Sequence, residues 1–259
     1  MKELIKKYDL KAKKSLGQNF LIDGNILNKI IESADIKKSD HIIEVGPGLG
    51  ILTKELTKKA KKVTAIELDS NLVKILEKEL AHNKNLKIIN QDALKFSPPK
   101  SPYKVVANIP YYITSPLLNH FLQTKIRPSK MIILMQKEVA EKICAKEGNL
   151  NVLAIHVQIF GKPRIIQKVS KNCFYPTPKV DSAILEINVY NKPIVEQDIG
   201  HFLDIVHAGF KHKRKTITNS LSKTFINTKE ALKQSNISLQ IRAEKLSFKD
   251  WVSLSKNLQ

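Results

Sequence analysis

The sequence predicts an α/β protein in which a mostly parallel sheet carries helices on both faces and a small all-α domain follows. Apolar strand-like segments and amphipathic helical segments alternate five times between residues 41 and 146, which is the pattern of a parallel sheet with crossover helices. The first strand runs directly into a glycine-rich turn. From Gln197 onward only helical periodicity remains. We therefore predict two domains, residues 1–190 and residues 191–259.

The chain is strongly basic, with 259 residues, a formal net charge of +20 and a sequence pI near 9.8. This charge favours a polyanionic partner, because Lys and Arg side chains release counterions when they neutralise phosphates. The charge is concentrated in one run near each end of the chain. We expect phosphate contacts from Lys13, Lys14, Lys211, Lys213, Arg214 and Lys215.

Cysteine usage and hydropathy exclude several classes of protein. Cys144 and Cys173 form no CxxC pair and have no histidines at zinc spacing, so we expect neither a disulfide framework nor a metal site. No apolar run reaches the roughly 18 residues of a membrane span. The N-terminus has no signal-peptide pattern. We expect a cytoplasmic, monomeric protein with no membrane partner.

The first strand and turn indicate a nucleotide-type ligand. Asp23 can N-cap a first helix, and His41–Val45 then forms a short apolar strand that ends in Gly46-Pro-Gly-Leu-Gly50. Such a turn lets a ligand approach the backbone above a helix N-terminus. The second strand ends at Glu67, which lies 21 positions after Gly46 and can accept both hydroxyls of a ribose.

The glycine turn and Glu67 are together compatible with NAD, FAD or S-adenosylmethionine as the ligand. The glycines are spaced G-x-G-x-G rather than G-x-G-x-x-G. This spacing weakens the dinucleotide interpretation, because the extra turn residue brings a pyrophosphate onto the helix. Asp92, at the end of the third strand, is placed to accept a hydrogen bond from an adenine amine.

The fourth strand ends at Asn108-Ile109-Pro110-Tyr111, where Pro110 cannot continue a ladder. The Asn108 side-chain oxygen and the Ile109 carbonyl can accept the two hydrogens of an exocyclic amine while Tyr111 stacks on its base. An adenine amine is a poor nucleophile, so its orientation by these groups needs neither a nucleophilic residue nor a metal. Phe174 can close the other face of the base, or it can pack in the core.

Beyond Asn149 the pattern predicts strands at residues 151–160, 163–170 and 180–189. The last two flank Cys173–Pro178, whose prolines argue against regular structure. Asn191-Lys-Pro193 reads as a linker.

The chain resembles the KsgA group of ribosomal RNA adenine N6,N6-dimethyltransferases, which modify two adjacent adenosines of the small-subunit RNA. Eight blocks occur in the order of that family between residues 14 and 221; seven of them read KSLGQNFL, EVGPGLGILT, AIELD, NQDAL, NIPYYITSP, LMQKEVAEKI and FYPTPKVDSA. The resemblance implies a class I methyltransferase, Rossmann-like fold with a seven-stranded, mostly parallel sheet. It also implies S-adenosyl-L-methionine as the cofactor and rRNA of the immature 30S subunit as the partner.

The resemblance also assigns roles to individual residues. It implies that the tetrapeptide Asn108–Tyr111 holds the target amine and that Phe174 stacks on the flipped adenine. The residues that it places against the cofactor are Gln18, Asn19, Leu21, Gly46, Gly48, Glu67, Leu68, Asp92, Ala93 and Asn108. The sequence departs from the family in the short segment Glu147–Val152 and at His212, where the family often has an arginine.

Two other functions stay open at this stage. The large-subunit adenine methylases of the macrolide-resistance type share the tetrapeptide and the glycine turn, although KSLGQNFL and FYPTPKVDSA favour the small-subunit group. A third interpretation is a ribosome-assembly checkpoint whose main act is to bind and then leave the precursor.

Overall fold

A computed structural model describes residues 2–10, 12–13, 16–195, 198–212 and 214–258. The chain divides into two compact units. The first contains residues 1–140 and 162–189, and the second contains residues 141–161 and 190–259. The two predicted domains were each continuous in sequence. The structure differs in one respect, because residues 141–161 belong with the C-terminal unit.

A seven-stranded sheet organises the first unit, in the order β4-β3-β2-β5-β6-β9-β7. The neighbours from β4 to β6 pair in parallel, and β9 pairs antiparallel with β6. The prediction of a mostly parallel seven-stranded sheet is therefore confirmed. The strands are β2 (His41–Val45), β3 (Lys62–Glu67), β4 (Leu86–Asn90), β5 (Lys104–Asn108), β6 (Lys130–Gln136), β7 (Gly161–Val169) and β9 (Ser182–Val189).

A second, two-stranded sheet pairs β1 (Phe20–Leu21) with β8 (Phe174–Tyr175). The expectation that prolines exclude regular structure from residues 173–178 is wrong for these two residues, because they precede the prolines and are free to pair. Phe20 lies opposite Tyr175, and Leu21 lies opposite Phe174. The pairing brings the N-terminal loop beside a segment more than 150 positions later in the chain.

Helices connect the parallel strands as the alternating pattern predicted, except between β4 and β5, where the regular structure is a single 3₁₀ turn at Ala93–Lys95. The Asp23 side chain caps α2 by accepting hydrogen bonds from the N–H groups of Asn25 and Ile26. Apolar residues of α2 and α3 pack with Ile42, Val63 and other strand residues in one buried cluster. The helices that begin in the first unit are α1 (Lys2–Lys7), α2 (Gly24–Ala34), α3 (Ile51–Lys59), α4 (Ser70–Glu79), α5 (Thr114–Leu122) and α6 (Lys137–Ile143).

The second unit is helical around a fully buried Trp251, whose ring stacks on Phe210 with 5.6 Å between centroids. The strand predicted at residues 151–160 is wrong, because Asn151 caps a helix there by accepting a hydrogen bond from the Ala154 N–H. The helices are α7 (Val152–Gln158), α8 (Ile199–Phe210), α9 (Ile217–Leu221), α10 (Thr228–Gln234) and α11 (Phe248–Asn257). Across the described ranges, no helix has the length and apolar character needed to cross a membrane.

Candidate active site

A cavity of about 260 Å³ opens in the first unit where four neighbouring parallel strands end. The residues that follow each strand line the cavity, as expected at the carboxyl edge of an open α/β sheet. The cavity brings together every residue that the sequence predicted for the cofactor and for the target base. These are Gln18, Asn19, Leu21, Gly46, Gly48, Glu67, Leu68, Asp92, Ala93, Asn108, Ile109, Pro110, Tyr111 and Phe174.

The glycine turn after β2 forms the floor of this cavity and has no room for side chains. Gly46 and Gly48 have φ values of 72° and 58°, which L side chains rarely adopt. A Cβ atom at Gly46 would lie 3.0 Å from the Asn108 carbonyl oxygen. Glycine at position 46 therefore permits the ends of β2 and β5 to lie close together and leaves backbone groups to face a ligand.

Glu67, at the end of β3, is fixed by backbone donors. Its carboxylate oxygens accept hydrogen bonds from the Gly48 N–H at 3.2 Å and from the Asp69 N–H at 2.9 Å. Burial raises the pKa of Glu67, and these two N–H groups oppose the shift. The carboxylate is thus held in one orientation beside the glycine turn, with lone pairs left for further donors.

Asp92 and Ala93 follow β4 in a short 3₁₀ turn. Asp92 accepts the Leu94 N–H at 2.9 Å through Oδ1, and Ala93 is buried. This bond orients the carboxylate and leaves its second oxygen available to an amine. Leu68 is half exposed and lines the same cavity.

The tetrapeptide after β5 carries one free amide and one anchored ring. Within the described residues the Asn108 side chain forms no hydrogen bond to the protein, although it lines the cavity. Tyr111 Oη lies 2.8 Å from Ser182 Oγ at the start of β9. That bond fixes the Tyr111 ring, and burial raises the pKa of its hydroxyl. The hydroxyl therefore positions the ring and stays protonated near neutral pH.

Phe174 is both a core residue and a cavity residue. Its side chain is 3% exposed and packs in the cluster that contains Leu21, Ile26 and Ile30. It also lines the cavity. The two interpretations offered by the sequence are therefore compatible, since a ring held rigidly by the core can present one face to a ligand.

Gln18 and Asn19 line the cavity, but their side-chain amides already form hydrogen bonds to nearby protein groups. Gln18 Oε1 accepts the Lys13 N–H at 2.8 Å, and Gln18 Nε2 donates to Asp69 Oδ2 at 3.0 Å. Asn19 Nδ2 donates to the Gly17 carbonyl at 3.1 Å. These bonds shape the loop from Leu16 to Asn19 against the start of α4. Gln18 thus braces the loop in addition to lining the cavity.

Glu44 is an acidic residue of this site that the sequence analysis missed. It is 0% exposed, lines the cavity, and neither carboxylate oxygen has a hydrogen-bond partner within the described chain. Burial raises the pKa of Glu44 to about 8, with the Glu67 charge adding to the shift. The Thr53 hydroxyl opposes the shift without reaching hydrogen-bond geometry. A buried carboxyl without a partner is costly, so this position suits a cationic ligand group.

Comparisons with known proteins show the family of this chain. The family described as "Ribosomal RNA adenine dimethylase" matches residues 9–259. The chain belongs to this family. Proteins named "Ribosomal RNA small subunit methyltransferase A" are 42% identical in Dehalococcoides mccartyi strain BAV1, over 98% of this chain and 90% of the relative, and 42% identical in Clostridium botulinum strain Kyoto, over 98% and 96%.

Two solved structures support the same assignment. A dimethyladenosine transferase from Plasmodium falciparum has a TM-score of 0.79 at 28% identity, covering 91% of this chain and 95% of that one. The 23S rRNA methyltransferase ErmE has a TM-score of 0.76 at 28% identity, covering 93% and 99%. The predicted family, its methyltransferase fold and its rRNA adenine dimethyltransferase class are confirmed.

The basic residues predicted to contact RNA phosphates lie in different parts of the fold. Lys13 forms an ion pair with Asp69, with Nζ 2.8 Å from Oδ1. Lys211, Arg214 and Lys215 are exposed in the second unit. Lys14 and Lys213 lie outside the described residues. Over the part of the chain that the structure describes, no group of three or more His, Cys, Asp or Glu side chains could hold a metal ion.

Proposed function

We propose that this chain transfers methyl groups from S-adenosyl-L-methionine to N6 of two adjacent adenosines near the 3′ end of 16S rRNA. The products are N6,N6-dimethyladenosines, and the substrate is the immature 30S subunit in the cytoplasm. One observation carries the proposal: a single cavity unites acidic groups suited to a nucleoside cofactor with an amide and rings suited to a target base. The names of the relatives at 41–42% identity supply the small subunit as the target.

The cofactor fits the acidic groups of the cavity. S-adenosyl-L-methionine supplies an electrophilic methyl group on a sulfonium centre. The Glu67 carboxylate would accept the ribose hydroxyls, and the free Asp92 oxygen would accept the adenine amine. Glu44, buried without a partner, would pair with the ammonium group of the methionine moiety. Gly46 and Gly48 would let the ligand lie against the backbone.

The target adenine would lie between Tyr111 and Phe174. The Asn108 oxygen and the Ile109 carbonyl would accept the two amine hydrogens, which directs the nitrogen lone pair away from the ring system. Pro110 fixes the backbone between these two acceptors. The protein thus acts through orientation and electrostatics. The adenine must be flipped out of its stack to reach this position.

The large-subunit alternative rests on the similarity to ErmE. Its identity of 28% is well below the 41–42% of the small-subunit relatives. Tritiated cofactor would separate the two targets: label should enter 30S particles from a strain that lacks this enzyme, and label in 50S particles would contradict the proposal.

The Asn108→Ala variant tests the chemistry. It should lower methyl transfer to immature 30S particles by about a hundred- to a thousandfold, since it removes an acceptor that orients the amine. RNA affinity, measured by filter binding, should stay within about twofold. Activity near that of the wild type would refute the role of this tetrapeptide. Primer extension across the 3′ end of 16S rRNA would show which adenosines lose their modification.

An assembly role is compatible with this chemistry and can be measured separately. If binding and release by the protein also time maturation, an inactive Asn108→Ala protein should trap precursor 30S particles. It should then slow growth more than deletion of the chain does. Equal growth of the two strains would argue against a checkpoint role.

A further inference from the structure

Tyr112 directly follows the tetrapeptide and has no role in the function proposed above. Its side chain is 60% exposed, the highest value among the aromatic rings identified as exposed. It nevertheless lines the same cavity as Asn108 and Tyr111. The ring therefore stands at the mouth of the cavity with much of its surface open to solvent.

One edge of the Tyr112 ring lies beside Gly17 of the N-terminal loop. A Cβ atom on Gly17 would lie 3.5 Å from both Cδ1 and Cε1 of Tyr112 and 3.3 Å from Pro110 Cβ. The ring therefore lies close to Gly17, where a side chain would contact it. The φ of +60° at Gly17 disfavours a larger residue there.

The backbone conformation makes the side chains of Tyr111 and Tyr112 point in different directions. Residues Tyr111–Ile113 form a 3₁₀ turn, closed by a hydrogen bond from the Ile113 N–H to the Pro110 carbonyl at 3.2 Å. With three residues per turn, adjacent side chains diverge by about 120°. Tyr111 points toward Ser182, where its hydroxyl is bound. Tyr112 consequently cannot share the face of the base that Tyr111 contacts.

We propose that Tyr112 is a stacking subsite for the nucleobase next to the target adenosine. The inference rests on the proposed function, because it requires a flipped base in the cavity. When one base occupies the cavity, its neighbour on the same strand must pass the mouth, where this ring is exposed. Every base offers a flat π face, so stacking suits any neighbour. The net charge of +20 favours an RNA strand over an apolar peptide at this rim.

A structural role for Tyr112 makes a different prediction. If the ring served only to support the loop from Leu16 to Asn19, its loss would weaken cofactor binding, because Gln18 and Asn19 line the cofactor cavity. If the ring stacks on a base, its loss would weaken the RNA substrate alone. The two roles therefore differ in which KM or Kd changes.

The test compares Tyr112→Ala and Tyr112→Phe with the wild type. Methyl transfer to 30S particles that lack the modification gives kcat and the KM for 30S, and titration calorimetry gives the Kd for S-adenosyl-L-methionine. Tyr112→Ala should raise the KM for 30S by about five- to a hundredfold, with kcat and the cofactor Kd within about twofold. Tyr112→Phe should retain the wild-type KM. Tyr190→Ala, at another exposed tyrosine, is the matched control and should change nothing.

Three results would overturn the inference. These are an unchanged KM for 30S in Tyr112→Ala, a parallel rise of its cofactor Kd, or equal defects in the Ala and Phe variants. The proposed function is judged separately by the wild-type protein, since failure of the wild type to label 30S particles would refute that function whatever Tyr112 does.

Discussion

The Asp69 carboxylate binds the Gln18 amide, with 3.0 Å between Oδ2 and Nε2. The same carboxylate accepts a hydrogen bond of 2.8 Å from Lys13 Nζ, and the Asp69 N–H donates to Glu67. Asp69 is 5% exposed. Burial tends to raise its pKa, but the Lys13 and Gln18 donors outweigh this and hold the pKa below its ordinary value. One buried carboxylate therefore ties the N-terminal loop to the acidic end of β3.

This link predicts that Asp69→Asn weakens cofactor binding without changing the chemistry. The neutral amide cannot form an ion pair with Lys13, and it has a single acceptor oxygen where the carboxylate offers Lys13 and Gln18 one oxygen each. We expect the Kd for S-adenosyl-L-methionine to rise by about tenfold, equivalent to about 1.4 kcal/mol, while kcat at saturating cofactor stays within about twofold. Asp198→Asn, at the N-cap of α8, is the control. A tenfold loss of kcat with unchanged Kd would assign Asp69 to the reaction instead.

Glu44→Gln should change the pH dependence of stability. Because burial raises the folded-state pKa of Glu44 to about 8 from a reference value of 4.5, the protein without cofactor should lose stability as pH rises from about 4.5 to 8. Glutamine does not titrate, so the variant should be more stable at pH 7, by on the order of 2 kcal/mol. Thermal unfolding from pH 5 to 9 measures the difference. A larger stability loss in the variant at high pH would contradict this assignment.

The same carboxyl should release a proton when the cofactor binds. An ammonium group beside Glu44 would lower its pKa, so binding at pH 7 should expel protons in the wild type. Calorimetry in two buffers of different ionisation enthalpy measures this release. Glu44→Gln should abolish it and weaken binding by about tenfold or more. Equal proton release in both proteins would remove Glu44 from the cofactor site.

The place of Glu44 in the site could not be predicted from the sequence, whereas that of other site residues could. Gly46, Glu67, Asp92 and Asn108 could be predicted because each follows a strand, and parallel strand ends meet at one edge of the sheet. Glu44 lies inside β2, two positions from Ile42, so it faces the same side of the sheet as that core residue. Nothing in the apolar run His41–Val45 distinguishes a carboxyl facing the cavity from one facing solvent. Its role depends on tertiary burial.

The strand predicted after Lys146 was wrong for another reason. Residues 151–160 form a short apolar run, and such runs fit a buried strand and a buried helix equally well. The deciding feature is the Asn151 side chain, which accepts the Ala154 N–H and starts α7. The hydrogen bond from the Leu150 N–H to the Glu244 carbonyl, at 3.2 Å, joins this segment to the second unit. A contact between residues so far apart in sequence could not be predicted from local pattern.

The C-terminal basic run should contribute to RNA affinity through charge. Replacing Lys213, Arg214 and Lys215 with Ala should reduce the slope of log affinity against log salt concentration by about 2, since each phosphate contact contributes roughly 0.7 to 0.9. The measurement is filter binding to 16S rRNA at several salt concentrations. Alanine at Lys229, Lys233 and Lys249, which are exposed in the same unit, removes equal charge as a control. An unchanged slope in the first variant would place the RNA surface elsewhere.

Gly209→Ala should destabilise the second unit through overpacking. Gly209 lies in α8, and a Cβ atom there would be 2.5 Å from Trp251 Cη2 and 2.9 Å from Ile217 Cδ1. Both side chains are 0% exposed, so neither can move without disturbing its neighbours, including the stacked Phe210 ring. We expect a loss of about 1–3 kcal/mol, measured by urea unfolding. Gly24→Ala is the matched control, because a Cβ atom there meets nothing within 4 Å. If both variants unfold at the wild-type midpoint, the packing of Trp251 against α8 is looser than these distances require.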